Sequence, residues 1–328
     1  MKNPAADRLD GASGFIRRFL PGGKPLAIRY KAARWFIMIT CYLIFFSIIF
    51  MILFPLFEKA AMIFQSRADL ADNTVKYIPQ EPTLDTLKRT LTAMDYWQVL
   101  GRTAALATLV SVIQVFVTAF IAYGLSRFNF LGKKLFFALI VLTLVIPPQI
   151  IMCSLYLHFY SFDFLGIIAM FNGGSGIRMI NTIWPFVIMS LTGLGIKNGL
   201  YVYIYRQFFR NLPAEFEEAA YIDGASVMRT FFTIMLPNAR TIMVTVFLFS
   251  FSWQWTDSNI TPLISMNFIM MPSALVSLET YMMNQLEPVF RVAIMNTGSL
   301  LAIIPLILLF LAGQRFFVQG IERSGIVG

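Results

Sequence analysis

The residues best equipped for chemistry in this chain are indoles, amides and carboxylates, and they gather in two places. The first is Trp253, Gln254, Trp255, Asp257 and Asn259, five groups within seven positions. Aromatic faces stack on sugar rings while amides and carboxylates bind hydroxyls, so this set suits a path for a sugar. An ordinary Trp and Asp belt, where a helix leaves a membrane, uses the same residue types. Asp257 lies sixteen residues beyond Thr241, about 24 Å along a helix, which sets it near such a boundary. Both readings stand at this point. Gln149 follows Pro147-Pro148, a pair that removes backbone hydrogen bonds and must kink or break a helix, either as a gating hinge or as a static bend. The second place is Glu217, Glu218, Ala219, Ala220, Asp223 and Gly224, followed by Ile234, Leu236 and Pro237. Acidic and small residues around a glycine let another protein's backbone approach closely, which is docking chemistry rather than catalysis.

Catalytic groups are missing by type. There is no G-x-x-x-x-G-K-[ST] phosphate loop, no nucleophile elbow, no dinucleotide fingerprint and no metal-ligand cluster. His158 is the single histidine, and the two cysteines, Cys41 and Cys153, sit inside apolar runs as small packing residues. Met270-Met271 and Met282-Met283 read as flexible packing rather than metal ligands. No catalytic residue, bound metal or bound cofactor is expected on this chain.

The elements that must position these groups lie in a membrane. Of the 328 residues, 58% are hydrophobic and 13% charged, with 33 Phe, against about a quarter charged in soluble domains. Six stretches free of Asp, Glu, Lys and Arg approach the length a bilayer demands: Trp35–Phe57, Thr103–Leu125, Leu135–Leu157, Met179–Ile196, Thr241–Thr256 and Val292–Gly313. The fourth is expected to continue to about residue 205 and the fifth to about 262. Spans are thus expected at about 35–57, 103–125, 135–157, 179–205, 241–262 and 292–313. Lys197, among Gly193, Gly195 and Gly199, marks the fourth as irregular, its ammonium either paired with an acid of a partner or snorkelling toward water.

Lys and Arg set the direction. Eight fall in 1–34, three in 126–134, four in 206–240 and two in 314–328, against five in 58–101, Arg178, and none between Asp257 and Glu287. Positive residues gather on the cytoplasmic side, so both termini are expected there, and the net charge of +9 needs no nucleic acid to explain it. The chain therefore divides into a basic cytoplasmic segment 1–34, a six-span domain 35–317 with a long external loop 58–101, and a cytoplasmic tail 318–328.

The loop 206–240 reads as two short helices. Asn211 can cap the first, Pro213 suits its first turn, and Glu215, Glu217 and Glu218 lie where the macrodipole favours anions. Gly224 suits a left-handed stop, and Ser226 can cap a second helix ending near Leu236-Pro237. Here the residues match a family. Glu218-Ala219-Ala220, three residues, Gly224, nine residues, then Ile234-Met235-Leu236-Pro237 resembles the EAA signature of binding-protein-dependent ABC importer permeases. Ala122 through Lys134 resembles the exit of span 2 in their carbohydrate branch. Gln314-Arg315-Phe316-Phe317-Val318-Gln319-Gly320-Ile321 through Gly328 is similar to the end of their maltose-type inner-membrane subunit, with Val327 where that family usually has lysine.

The resemblance covers about residues 35–328 and implies an all-α membrane protein of type I ABC importer architecture, with six transmembrane helices and a cytoplasmic coupling helix-turn-helix. It implies that loop 206–240 docks on two ATPase subunits, which hold the ATP and Mg, and that this chain is a transport subunit rather than an enzyme. A second homologous permease completes the pore, and an extracytoplasmic solute-binding protein delivers a carbohydrate. The location implied is the inner membrane, in contact with the lipid bilayer. An ABC permease for a non-sugar solute and an ion-coupled transporter are the alternatives; the latter should carry ionisable groups deep in several spans, and the six cores carry none.

Overall fold

Long apolar runs inside a bilayer must satisfy every backbone polar group internally, which leaves the helix as the local solution. The structure, a computed structural model, describes residues 27–72, 74–283 and 288–325. Lys2, Arg8, Arg17, Arg18 and Lys24 of the basic segment, and Val327 with the end of the tail, lie outside the described residues, as do the side chains of Met282 and Met283. Among the described residues every regular element is helical, with one isolated bridge between Phe162 and Ile177.

The chain forms two units, Met1–Phe57 and Glu58–Gly328. The first contributes most of α1 (Ala27–Phe64), whose Trp35, Phe36, Tyr42, Phe45 and Phe46 are exposed, as lipid-facing side chains must be. In the second unit α2 (Arg67–Ala71) opens with a capping box, Ser66 accepting from the Asp69 amide and Asp69 accepting from the Ser66 amide. Then come α3 (Asp85–Ala93), α4 (Tyr96–Arg127), α5 (Lys133–Val145), α6 (Pro148–Tyr160), α7 (Ile167–Phe171), α8 (Trp184–Leu191) and α9 (Asn198–Asn211). They are followed by α10 (Glu215–Ile222), α11 (Val227–Thr230), a π-turn (Phe231–Met235), α12 (Leu236–Asn238), α13 (Arg240–Thr256), α14 (Ile260–Ile264), α15 (Met271–Met283) and α16 (Pro288–Gly325).

Among the described residues three helices are by themselves long and apolar enough to cross a membrane, in α1, α4 and α16, and two bent pairs, each taken as one span, raise the number by length and composition to as many as five. The first pair is α5 and α6, which meet at 102°. Pro147 is extended and Pro148 starts α6, so the proline pair turns the chain through more than a right angle. The irregularity expected near Lys197 is a complete break. Gly193 at φ +77° closes α8, with the Leu194 amide bonding to the Met189 carbonyl at 2.8 Å, and Lys197 itself is left-handed at φ +60° before α9 begins. The fifth apolar run stops as a helix at Thr256, because Asp257 turns extended and caps α14. Met271, Ala274 and Leu278 of α15 are buried, in a helix that lies between the fifth and sixth expected spans.

Packing centres on α4, which α9 and α13 both flank. Ala119 and Ala122 have no exposed surface and let Tyr201, Tyr205 and Phe209 of α9 approach, while Ile242 and Val246 of α13 close the same core. At the far end Trp255, Phe251, Met271, Phe290 and Ile294 join α13, α15 and α16. Hydroxyls in these helices bond back to the preceding turn, as Thr103, Thr118, Ser190 and Thr297 do to Val99, Gln114, Phe186 and Ala293. That local bond removes the need for a partner in an apolar medium.

Candidate functional site

The hairpin of α10 and α11 is built by local rules. Leu212 is extended because it precedes Pro213, which ends α9 at Asn211. Asn211 therefore closes one helix instead of capping the next, and Ala214 occupies the N-cap of α10 without a side-chain bond. The expected stop at Gly224 is a Schellman motif. Gly224 sits at φ +77°, its amide bonds to the Tyr221 carbonyl at 3.0 Å, and the Ala225 amide reaches the Ala220 carbonyl at 2.9 Å. Ser226 then accepts from the Arg229 amide and starts α11. The π-turn follows, with the Leu236 amide bonding five residues back to the Phe231 carbonyl. At Ala239 the chain bends by 78° into α13.

The two sides of α10 differ in kind. Glu218, Ala219, Asp223 and Gly224 are exposed, together with Phe216, Tyr221 and Ile222, the last 85% exposed. A hollow of about 510 Å³ opens among Pro213, Glu215, Phe216, Ala219, Ala220, Asp223 and Ile234. Pro237 is exposed as well, whereas Leu236 is buried and Ile234 half-buried. Ala220 and Glu217 face inward. The Arg127 Nε lies 2.7 Å from Glu217 Oε2, the Tyr123 hydroxyl donates to Glu217 Oε1 at 2.7 Å, and Arg127 Nη2 donates to the Leu212 carbonyl at 2.8 Å. Tyr123 and Arg127 both lie in the stretch Ala122 through Lys134, about ninety positions before Glu217, and nothing local in the sequence pairs them with it.

The second candidate set is split by the fold. Trp255 is buried and its indole donates to the Ala302 carbonyl at 3.0 Å. Gln254 is buried and donates to Thr261 Oγ1 at 2.9 Å. Asp257 accepts from the Thr261 amide at 2.6 Å and its hydroxyl at 2.7 Å, with the Asn259 and Ile260 amides nearby, so its carboxylate serves the turn into α14. Asn259 is half-buried at the N-cap of that helix. Trp253 is exposed and takes the Lys197 ammonium over its ring, 4.8 Å from the centroid. Gln149 is exposed on the first turn of α6, away from the Trp253 group in sequence and element.

Beneath Lys197 the structure groups polar residues that the sequence did not single out. Gln114 of α4 receives the Ser250 hydroxyl of α13, and Asn198 at the start of α9 is buried with both amide atoms free of protein partners. A Cβ on Gly195 would strike the Gln114 amide. A wider cavity of about 640 Å³ reaches this break from α6 and includes Lys197, Asn198, His158 and Asp163 in its wall. Among the described residues no cluster of His, Cys, Asp and Glu is arranged to hold a metal ion.

Residues 114–323 match the family described as "Binding-protein-dependent transport system inner membrane component". The arabinooligosaccharides transport system permease protein AraQ of Halalkalibacterium halodurans is 25% identical over 290 residues, 87% of this chain and 94% of that protein. The galactooligosaccharides transport system permease protein GanQ of Bacillus subtilis is 26% identical over 305 residues, 91% of this chain and 98% of that protein. Among solved structures, a bacterial ABC transporter involved in the import of the acidic polysaccharide alginate superposes with a TM-score of 0.65 at 18% identity, over 91% of this chain and 100% of that chain. At that identity the likeness is one of fold.

Proposed function

This chain belongs to the binding-protein-dependent transport system inner membrane components, and from that membership we propose that it is the permease half-pore of an ATP-driven importer for a carbohydrate, an oligosaccharide or glycoside. It is a multi-pass membrane protein. The cargo reading is supported by the named substrates of the two bacterial relatives. In it, a second homologous permease completes six spans on each side of the pathway. Two ATPase subunits bind ATP and Mg, a solute-binding protein outside delivers the cargo, and both termini lie in the cytoplasm.

The observation that carries the mechanism is the two-sided hairpin. Its outer side presents Phe216, Ala219, Ile222 and a hollow beside Ile234, with Glu218 and Asp223 at the margin. Exposed apolar surface rimmed by charge is the form of a protein contact. Closure of the ATPase dimer moves this surface, and the motion tilts the helices packed behind it, a hinge-and-shear change of access. The cargo route passes Trp253 and the break at 192–197, with Gln149 on the opposite bend; Gln254, Trp255 and Asp257 hold the wall of that route.

Affinity purification of the tagged chain from its own membranes tests the assembly. The expected result is recovery with a Walker-motif ATPase and a second permease, and sugar-dependent stimulation of ATP hydrolysis when the binding protein is added. Glu218→Lys, which reverses charge on the outer side, is expected to insert normally yet recover about tenfold less ATPase, in line with a lost interfacial charge contact. Recovery of the chain alone, under conditions that keep other membrane complexes intact, would sink the reading.

A further inference from the structure

The inner side of the hairpin carries an arrangement that neither docking nor a cargo route requires. Glu217, in the first turn of α10, is buried at a surface-type position, its side chain 8% exposed and its partner Arg127 16%. Both carboxylate oxygens are used, one by Arg127 and the other by the Tyr123 hydroxyl. Arg127 spends a second nitrogen on the Leu212 carbonyl, the residue that links α9 to the hairpin. The Tyr123 ring meanwhile packs edge-on against Phe209 of α9, 6.0 Å between centroids, and lies 5.1 Å from Phe231 in the π-turn. One turn of α4 therefore holds α9, the linker, α10 and the second half of the hairpin.

Stability alone does not account for this design. A buried ion pair gives up the hydration of two charges, and apolar residues of the same volume commonly stabilise as well or better. What the pair adds is direction: a carboxylate held through one oxygen by Arg127 Nε and through the other by the Tyr123 hydroxyl fixes one orientation of α10 relative to α4, where an apolar contact would let the helix roll. The covalent route to the pore is weak by comparison. It runs through an extended Leu212 on one side and a 78° bend at Ala239 on the other, both places where a push is absorbed by turning. Glu217 instead reaches α4, the helix that α9 and α13 flank.

We infer that Tyr123, Arg127 and Glu217 form a latch that fixes the coupling hairpin to α4, so that displacement at the outer side enters the pore through α4 rather than through the loop ends. The three are positioning residues, acting on the orientation of a docking surface formed by others. This inference rests on the importer reading above.

The test uses the complete importer in proteoliposomes and reads sugar taken up per ATP hydrolysed. Tyr123→Phe removes one oxygen and leaves the ring packing; Glu217→Gln keeps the shape and removes the charge. Each is expected to lower uptake per ATP about tenfold while the ATPase still co-purifies, as loss of one buried charge-assisted bond predicts. The exchange Arg127→Glu with Glu217→Arg is expected to recover a substantial part of the coupling lost by either single change. Unchanged uptake per ATP in both conservative variants would overturn the latch. Failure of both variants to assemble would also overturn it, by making the contact a folding element only. If the unsubstituted complex itself transports no sugar, the importer reading falls instead, and the two failures are distinguishable.

Discussion

Gly224→Val will abolish uptake while leaving the protein in the membrane, and Gly224→Asn will retain most of it. The two variants separate backbone strain from crowding. A Cβ at Gly224 would meet nothing within 4 Å, so neither side chain is obstructed. What differs is the conformation at φ +77°. A β-branched residue there is strained by about 1–3 kcal/mol, while Asn visits the left-handed region with little penalty. If valine relaxes by leaving that region, the two Schellman bonds from Gly224 and Ala225 are lost, and α10 no longer ends where α11 begins. The outer side of the hairpin then loses its shape as a unit. We expect uptake to drop at least tenfold for valine, roughly the factor that about 1.4 kcal/mol represents. Surface biotinylation and uptake in the same cells check it; equal uptake by the two variants would mean that the glycine conformation is dispensable.

Gly199→Ala will be the most damaging single methyl in the membrane region. α9 crosses α5 at this glycine, and a Cβ there would lie 2.5 Å from Thr143 Oγ1 and 2.8 Å from the Ile140 carbonyl. A side chain can rotate away, but a backbone carbonyl in a helix cannot, so α9 must lift off α5. Overpacking of this kind costs about 1–3 kcal/mol, and close helix approach through small residues is what membrane helices have in place of a hydrophobic drive. The expected readout is a lowered midpoint of thermal unfolding in detergent together with loss of uptake. Adding Thr143→Ala should restore only part, because the Ile140 carbonyl remains. Full restoration by Thr143→Ala would show that the contact is a side-chain matter and would refute the backbone argument. At Gly195 the obstacle is the Gln114 amide, the end of a flexible side chain, and the corresponding alanine should be milder.

Much of the hairpin was legible because its signals are local. Gly224 and Ser226 act within a turn of their own position as expected, whereas Pro213, expected in the first turn of α10, stands before its N-cap Ala214 and ends α9 instead. The long apolar runs in α1, α4 and α16 announced themselves by length. What the sequence withheld depends on distance. Glu217 has the residue type of a solvated surface, and only the arrival of Tyr123, 94 positions earlier, makes it an interior anchor. Asp257 suits a ligand or a membrane boundary by residue type, and its bonds to Thr261 add a turn that it shapes. The proline pair predicted a kink but not its size, since the angle depends on what receives α6. Asn211 illustrates the limit of cap chemistry: the residue type was suitable, but the proline two places on ended the preceding helix there.

The π-turn at Phe231–Met235 also sets how the region can vary in length. A wide turn holds about one residue more than an α-helical turn, and each residue advances a helix by about 100° of rotation. Removing one residue between Phe231 and Met235 would let the turn close to α-geometry while the flanking turns keep their bearing, whereas a deletion in the α-helical stretch Val227–Thr230 would swing what precedes it by that rotation. The turn is thus the place where the spacing from Gly224 to Pro237 can lose a residue without a twist.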